Sequence, residues 1–357
     1  PKFMAEKILT TRGSLEGERK RVTVFFCDVT GFTALSETLD PEAVHQIMDG
    51  CFAILMQEIH KVEGTINQFT GDGVMALFGA PLAHEDHAQR ACHAALAIQR
   101  SLAEYGRQVK ADFGAAFKIR IGLNSGPVVV GAIGNDLRMD YTAVGDTTNL
   151  AARMESLAEP GAILVSDNTY RLVSDYFEFA DLGDVPVKGK QAPQAVHRLI
   201  RASGIRSRMD ASKARGLSDY VGRQEELQDL GKAFQKVRSG QGQVVGVVGE
   251  AGIGKSRFVF EMRRSAHSAG RVIEGRCLQY RSSIPFLPLL EIFRTYFDLG
   301  EGESEAGIDA KLKSRLADLD EELTQSLAAF RHLFSMPAED PRWAALEPKK
   351  KQLKIFE

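Results

Sequence analysis

The chain has 357 residues, 45 Lys and Arg against 47 Asp and Glu, a formal net charge of −2 and 44% hydrophobic residues. That length points to two domains rather than one, and near-neutrality excludes a global basic field for nucleic acid. Cys27, Cys51, Cys92 and Cys277 form no CxxC pair, which fits buried thiols in a reducing compartment and not a disulfide framework or zinc site. No apolar run approaches the roughly 18 residues of a membrane span, and the first residues lack the apolar core of a signal peptide. The expectation is a soluble, cytoplasmic chain without a membrane or nucleic-acid partner.

In chain order, residues 1–20 are polar and read as a leader. "VTVFFC" is a short buried strand, rich in β-branched and aromatic residues. Asp40-Pro41 supplies an N-cap and first-turn pair. The helix behind it places Val44, Ile47, Met48, Cys51, Phe52, Leu55 and Ile59 on one face. "TINQFTGDGVMALFG" reads as two apolar strands joined by a tight hairpin at 71–73. A long helix is expected over about 84–105. "FKIRIGLNSG", "VVVGAIG" and "MDYTAVG" read as strands. A helix over about 146–158 and a strand at "AILVS" follow, and the domain closes near "VPVKGKQAPQAVHRLI". Two strands per helix, with tight turns, predict an α+β sandwich over residues 21–200: one mostly antiparallel sheet with helices packed on it. Residues 201–219, rich in Ser, Gly, Ala and basic side chains, read as a linker. A second domain over 220–357 opens with a helix near 223–238 and a strand "QVVGVVG", and its tail from about 286 is helical.

Chemistry concentrates at few positions. Asp28 stands where an apolar strand ends and Asp72 at the hairpin tip. Each alone is an ordinary turn or cap residue. Together they are hard oxygen ligands suited to Mg²⁺ or Mn²⁺, which complete their coordination with phosphate oxygens and water. In "YTAVGDTTNLAAR", Asn149 and Arg153 are four residues apart and share a helix face, while Leu150, Met154 and Leu157 turn to the core. The bland reading is a solvated stripe; the chemical one is an amide and a guanidinium aimed at developing phosphoryl charge.

"FFCDVTGFT", "FTGDGVMALFG", "IRIGLNSGPVVVG", "YTAVGDTTNLAARME" and "VPVKGK", in this order, closely resemble the catalytic domain of class III nucleotidyl cyclases over about residues 20–200. The resemblance implies a ferredoxin-like α+β unit acting as a head-to-tail homodimer with shared active sites. It implies that Asp28 and Asp72, with the carbonyl of Val29, hold two Mg²⁺ or Mn²⁺ ions per site. Asn149 would orient the ribose and Arg153 would stabilise the pentavalent phosphorus, both from the opposite subunit. Lys188 matches a lysine that contacts the terminal phosphates. Gln68 and Thr142 fall where many adenylyl cyclases use Lys and Asp to read the purine. Glutamine and threonine both donate and accept hydrogen bonds, so ATP is the favoured substrate and GTP the alternative. The reaction implied is attack of the 3′-hydroxyl on the α-phosphorus with loss of pyrophosphate, driven by metals and positioning.

"VVGVVGEAGIGKSRF" carries a phosphate-loop pattern, with Gly249, Gly252, Gly254, Lys255 and Ser256 between an expected strand and an expected helix. Its backbone N–H groups would face phosphate, Lys255 the β- and γ-phosphates and Ser256 a Mg²⁺ ion. "YVGRQEELQDL" resembles the entry helix of AAA/STAND-type ATPases. No Walker B strand ends in an acidic residue before Glu357, so this α/β P-loop NTPase domain is read as its N-terminal part, with hydrolysis not expected. His84, His87 and His93 in "HEDHAQRACH" miss the H-E-x-x-H pattern and read as lying near an exposed helix start. "EPKKKQLK" reads as a solvated helix face. The leading expectation is an adenylate cyclase with a regulatory ATPase module. A guanylate cyclase, a nucleotide-sensing module of low turnover and a switch ATPase are the competing readings.

Overall fold

The computed structural model describes residues 18–130, 132–133, 140–141, 146–190, 192–205, 208–250, 252–266, 270–277, 286–300, 303–334, 336–337 and 339–356. They divide between Leu217 and Ser218 into two compact units.

The first unit is built on a seven-stranded sheet of order β2-β3-β1-β4-β7-β9-β8. Its strands are β1 (Glu18–Val29), β2 (Thr65–Phe69), β3 (Val74–Phe78), β4 (Ile119–Val130), β7 (Ile163–Ser166), β8 (Phe177–Val185) and β9 (Gln194–Ala202); β5 (Ala132–Ile133) and β6 (Asp140–Tyr141) pair separately. All ladders are antiparallel except β4 with β7. Glu18, Arg19 and Lys20, read as leader, are already strand because they pair with Val130, Val129 and Val128.

Both faces of the sheet are covered, which is why β1 reads as a continuous apolar run and not as an alternation. One face carries Phe25, Cys27, Ala76, Phe78, Ile121 and Leu123. Against it pack helices α1 (Phe32–Thr38), α2 (Pro41–Lys61) and α3 (His87–Phe113). Ile47, Met48, Cys51, Leu55 and Ile59 of α2 are buried as the spacing predicts. The Asp40 side chain makes no capping hydrogen bond, so the helix start relies on Pro41. Helix α3 outruns its expected end and stops where Gly114 takes φ +70°. The opposite face, with Val22, Val24, Met75, Leu77 and Val128, receives α4 (Asp146–Leu157) through Ala151. Leu150 and Met154 are buried as expected, but Leu157 is 41% exposed because it closes the last turn of α4.

Two further helices complete this unit. Helix α5 (Asp167–Val173) has no counterpart in the sequence reading and is capped by Ser166, which accepts from the Thr169 amide. Helix α6 (Arg208–Arg215) lies inside the segment read as a linker; it buries Ala211 and pairs Arg215 with Asp175 at 3.4 Å.

The start of α3 is not exposed. His87 is buried, and its Nδ1 lies 2.7 Å from the Thr23 hydroxyl. Burial, reinforced by Arg21, pushes its pKa down from 6.5 to about 4. The unfolded chain takes up a proton that the fold refuses, so this contribution to stability is whole above pH 6.5 and falls as the pH drops toward 4. Going from about pH 7.5 to about pH 5 should cost about 2 kcal/mol through His87. Denaturant titrations at the two pH values should show that step in the wild type and lose it in His87→Gln.

The second unit, in its described residues, contains helices and no strand: α7 (Gln224–Arg238), α8 (Lys255–Ala266), α9 (Leu287–Tyr296), α10 (Glu305–Leu319), α11 (Leu327–Leu333), α12 (Pro341–Ala344) and α13 (Pro348–Phe356). Its core gathers Phe297, Leu299, Ile308, Leu312, Leu316 and Met336. The expected strand over 243–249 is not formed. Val244 is 102% and Val248 96% exposed, and a strand exists only through a ladder that no described neighbour supplies.

Candidate active site

One face of β4 sets the site. Arg120, Gly122, Asn124 and Gly126 alternate along it, two residues apart, and all turn toward α4. A Cβ on Gly122 would meet the Glu155 amide nitrogen at 2.0 Å, and one on Gly126 the Thr147 hydroxyl at 2.7 Å. The helix therefore lies directly on the strand backbone. Asn124 holds its first turn by donating to the Thr147 carbonyl at 2.8 Å, and Thr147 donates to the Pro127 carbonyl at 2.8 Å.

Asp28 stands opposite Arg120 in the β1–β4 ladder, so the two side chains share that face. Arg120 donates to Asp28 Oδ2 at 2.9 Å, and its Nε forms an ion pair with Glu155 Oε1 from α4. That second contact lacks the alignment of a hydrogen bond. The Arg120 pKa is raised; burial opposes this, but Asp28 and Glu155 outweigh it. Burial also raises Glu155, against the pull of Arg120. Neither Arg120 nor Glu155 was among the sequence candidates. The available signal was a charged residue inside the apolar strand "IRIGL", on the same alternating face as two glycines.

Asp72 sits at the tip of the β2–β3 hairpin, closed by the Thr70 amide donating to the Gly73 carbonyl at 2.9 Å. Burial and the neighbouring Asp28 charge raise the Asp72 pKa, so the structure brings the two aspartates into one electrostatic site. A Cβ on Gly73 would lie 2.5 Å from the Cys27 carbonyl oxygen, 2.8 Å from Thr70 Oγ1 and 3.1 Å from Asp28 Oδ1. Glycine thus leaves open a small cradle of oxygen atoms. Hard oxygen donors that keep a net negative charge beside Arg120 suit a divalent cation such as Mg²⁺ or Mn²⁺. Among the described residues no group of three or more His, Cys, Asp or Glu side chains converges, so phosphate and water would have to complete such an ion's coordination. Val29 is buried in the core, and only its carbonyl could take part.

A second cluster lies on the outer side of α4. Asn149, Arg153 and Lys188 line one cavity of about 200 Å³, together with Asp146, Leu150, Val187, Gly189 and Lys190. Lys190 donates to both Asp146 oxygens at 2.6 Å and ties the 187–190 turn to the helix start. Arg153 and Glu155 are two residues apart, about 200° around the helix, so one helix serves the cavity and the Asp28 cluster on opposite sides. Gln68 is exposed on β2 beside a register shift at Ile66/Gln68, opposite Met75 and close to the hairpin. Thr142 lies outside the described residues.

In the second unit, Gly252 and Gly254 take φ +83° and +95°, which the loop before α8 requires. Lys255 opens α8 and donates to the carbonyls of Gly249 and Glu250 at 2.7 and 2.8 Å. Ser256 follows it in the first turn. A cavity of about 550 Å³ reaches from Lys255 and Ile253 to Arg223, which precedes α7, and to Glu226 and Asp229 of α7.

The chain matches two family models: the adenylate and guanylate cyclase catalytic domain over residues 16–200 and the AAA ATPase domain over residues 220–345. The chain belongs to the adenylate and guanylate cyclase family, followed by an AAA-type ATPase domain. It is similar to adenylate cyclase 1 of Rhizobium meliloti, 33% identical over 184 residues, which make up 51% of this chain and 28% of that protein. The chain therefore spans little more than a quarter of that relative's length. Among solved structures, it resembles the adenylyl cyclase CyaB from P. aeruginosa at 37% identity and TM-score 0.51, covering 53% of this chain and 98% of the other. It also resembles the guanylyl cyclase Cya2 at 34% identity and TM-score 0.50, covering 53% of this chain and 96% of the other. No helix among the described residues is long and apolar enough to cross a membrane.

Proposed function

We propose that the first unit is an adenylate cyclase converting ATP to 3′,5′-cyclic AMP and pyrophosphate, working as a homodimer with shared sites. One observation carries the reading: Asp28 and Asp72 gather at the end of β1 and the β2–β3 turn, while Asn149, Arg153 and Lys188 line a cavity on the other side of α4. In this reading each cluster is half of a site. Neither half suffices for an intramolecular phosphoryl transfer, and a second copy would supply the missing half of each.

In this reading Asp28 and Asp72, with the Val29 carbonyl, hold two Mg²⁺ or Mn²⁺ ions. Such ions, when bound, polarise the attacking and leaving oxygens of a displacement at phosphorus. Asn149 orients the ribose, so that the 3′-hydroxyl faces the α-phosphorus in line with the leaving pyrophosphate. Arg153 meets the charge that grows on the equatorial oxygens, and Lys188 binds the terminal phosphates. Gln68 and Thr142 read the purine edge, each able to donate and accept. The adenylate cyclase at 33% identity and the adenylyl cyclase structure at 37% speak for ATP, and the guanylyl cyclase structure at 34% keeps GTP as the alternative. In the second unit, Gly249, Gly252, Gly254, Lys255 and Ser256 form the phosphate loop of a regulatory nucleotide module.

The test is product identification with ATP and GTP side by side, in Mn²⁺, at micromolar protein. Cyclic AMP and pyrophosphate in equal amounts are expected. Cyclic GMP as the main product would overturn the substrate, and no cyclic nucleotide where a control cyclase turns over would overturn the activity.

A further inference from the structure

The contact between Arg120, Asp28 and Glu155 has no part in the proposed chemistry, yet it joins β1, β4 and the helix that bears Asn149 and Arg153. Arg120 holds one oxygen of Asp28, Oδ2, at 2.9 Å, while Oδ1 borders the cradle that Gly73 leaves open. Its other edge meets Glu155, whose side chain is only 11% exposed. With Gly122 admitting the backbone of Glu155 so closely, α4 cannot shift away from β4 without moving Glu155. The guanidinium is therefore fixed from the helix side and presented to the aspartate.

Two carboxylates at one site repel, and a cation that binds them must coexist with the Arg120 charge already held against Asp28 Oδ2. We infer that Arg120 is a built-in counter-cation of the Asp28–Asp72 pair, a positioning residue that Glu155 anchors to α4 and that lowers the pair's affinity for free divalent metal. Its positive charge stabilises the metal-free carboxylates and leaves Asp28 Oδ1, not Oδ2, for a cation. The affinity lost is regained when a nucleotide triphosphate supplies further negative charge, so metal enters with substrate and not ahead of it. This rests on the metal-binding reading of Asp28 and Asp72 given above.

Nucleotide-free Mn²⁺ titration of the full chain, followed by the loss of the free-ion paramagnetic resonance signal, tests it. Wild-type binding should weaken at least about tenfold in Asp72→Asn. Arg120→Gln should bind Mn²⁺ roughly tenfold tighter than wild type, because a unit positive charge near the ion is gone. Glu155→Gln should bind a few-fold more weakly, since Arg120 then answers to Asp28 alone. Arg120→Lys, which keeps the charge, should stay within about threefold of wild type. Damage to the fold could weaken binding in every variant but could not strengthen it in one. Unchanged or weaker Mn²⁺ binding in Arg120→Gln, with the Asp72→Asn effect intact, overturns the role of Arg120 alone. Mn²⁺ binding that is absent from wild type, or that Asp72→Asn leaves unchanged, overturns the metal reading together with it.

Discussion

Asp72→Ala is expected to abolish cyclic nucleotide formation and leave the fold intact. The side chain sits at a hairpin tip whose backbone closes through Thr70 and Gly73, a hydrogen bond that the substitution does not touch. Asp72 makes no packing contribution to the apolar core beneath it, and its removal relieves repulsion with Asp28. Unfolding free energy should therefore change by less than about 1 kcal/mol. Catalysis should fall by a factor on the order of a thousand or more if Asp72 has the proposed role, because a ligand to ions that would stabilise the transition state by several kcal/mol is then lost. Turnover with ATP and Mn²⁺, read beside a denaturant curve, separates the two effects. Turnover within about tenfold of wild type would remove Asp72 from the chemistry, and a large loss of stability would make it structural.

The second large effect is complementation. Arg153→Ala alone should lower turnover by about 10²–10³-fold, the usual cost of deleting one donor to developing charge. Mixing it with Asp72→Ala protein should restore activity that neither has. In a heterodimer one composite site loses both residues and the other keeps both. Random pairing makes about half the dimers mixed, so recovery near a quarter of wild-type activity is expected. Activity in the mixture no higher than the sum of the separate proteins would show that Asp72 and Arg153 serve the same chain, and the shared-site reading would fall.

The placement of the candidate residues was largely legible because it is carried by short segments. Asp28 at a strand end, Asp72 between glycines, and Asn149 and Arg153 on one helical stripe are local facts of spacing. Each lies where that spacing places it, within β1, the hairpin and α4. Helix ends were legible less well. Helix α3 runs on to Gly114 because its apolar face continues over the sheet, and α5 was missed because seven residues are too few for a periodic pattern. His84 and His87 looked like surface residues by composition. Their side chains are only 7% and 8% exposed, because the segment before α3 folds back on the sheet edge, where Thr23 meets His87 and Glu63 lies 3.4 Å from His84.

The amino-acid sequence by itself pointed to the family, to most strands and helices of the first unit up to β7 and to the candidate side chains, since all of these rest on residue type and short-range spacing. Tertiary structure alone decided which charges meet. Asp28 and Arg120 are 92 positions apart and Arg120 and Glu155 belong to different elements; register in the β1–β4 ladder and the bare backbone at Gly122 bring them together. The same holds for Asn149, Arg153 and Lys188, gathered around one cavity as Lys190 binds Asp146 across the intervening chain. Such encounters depend on how whole elements pack, and no periodicity within a segment encodes a partner outside it.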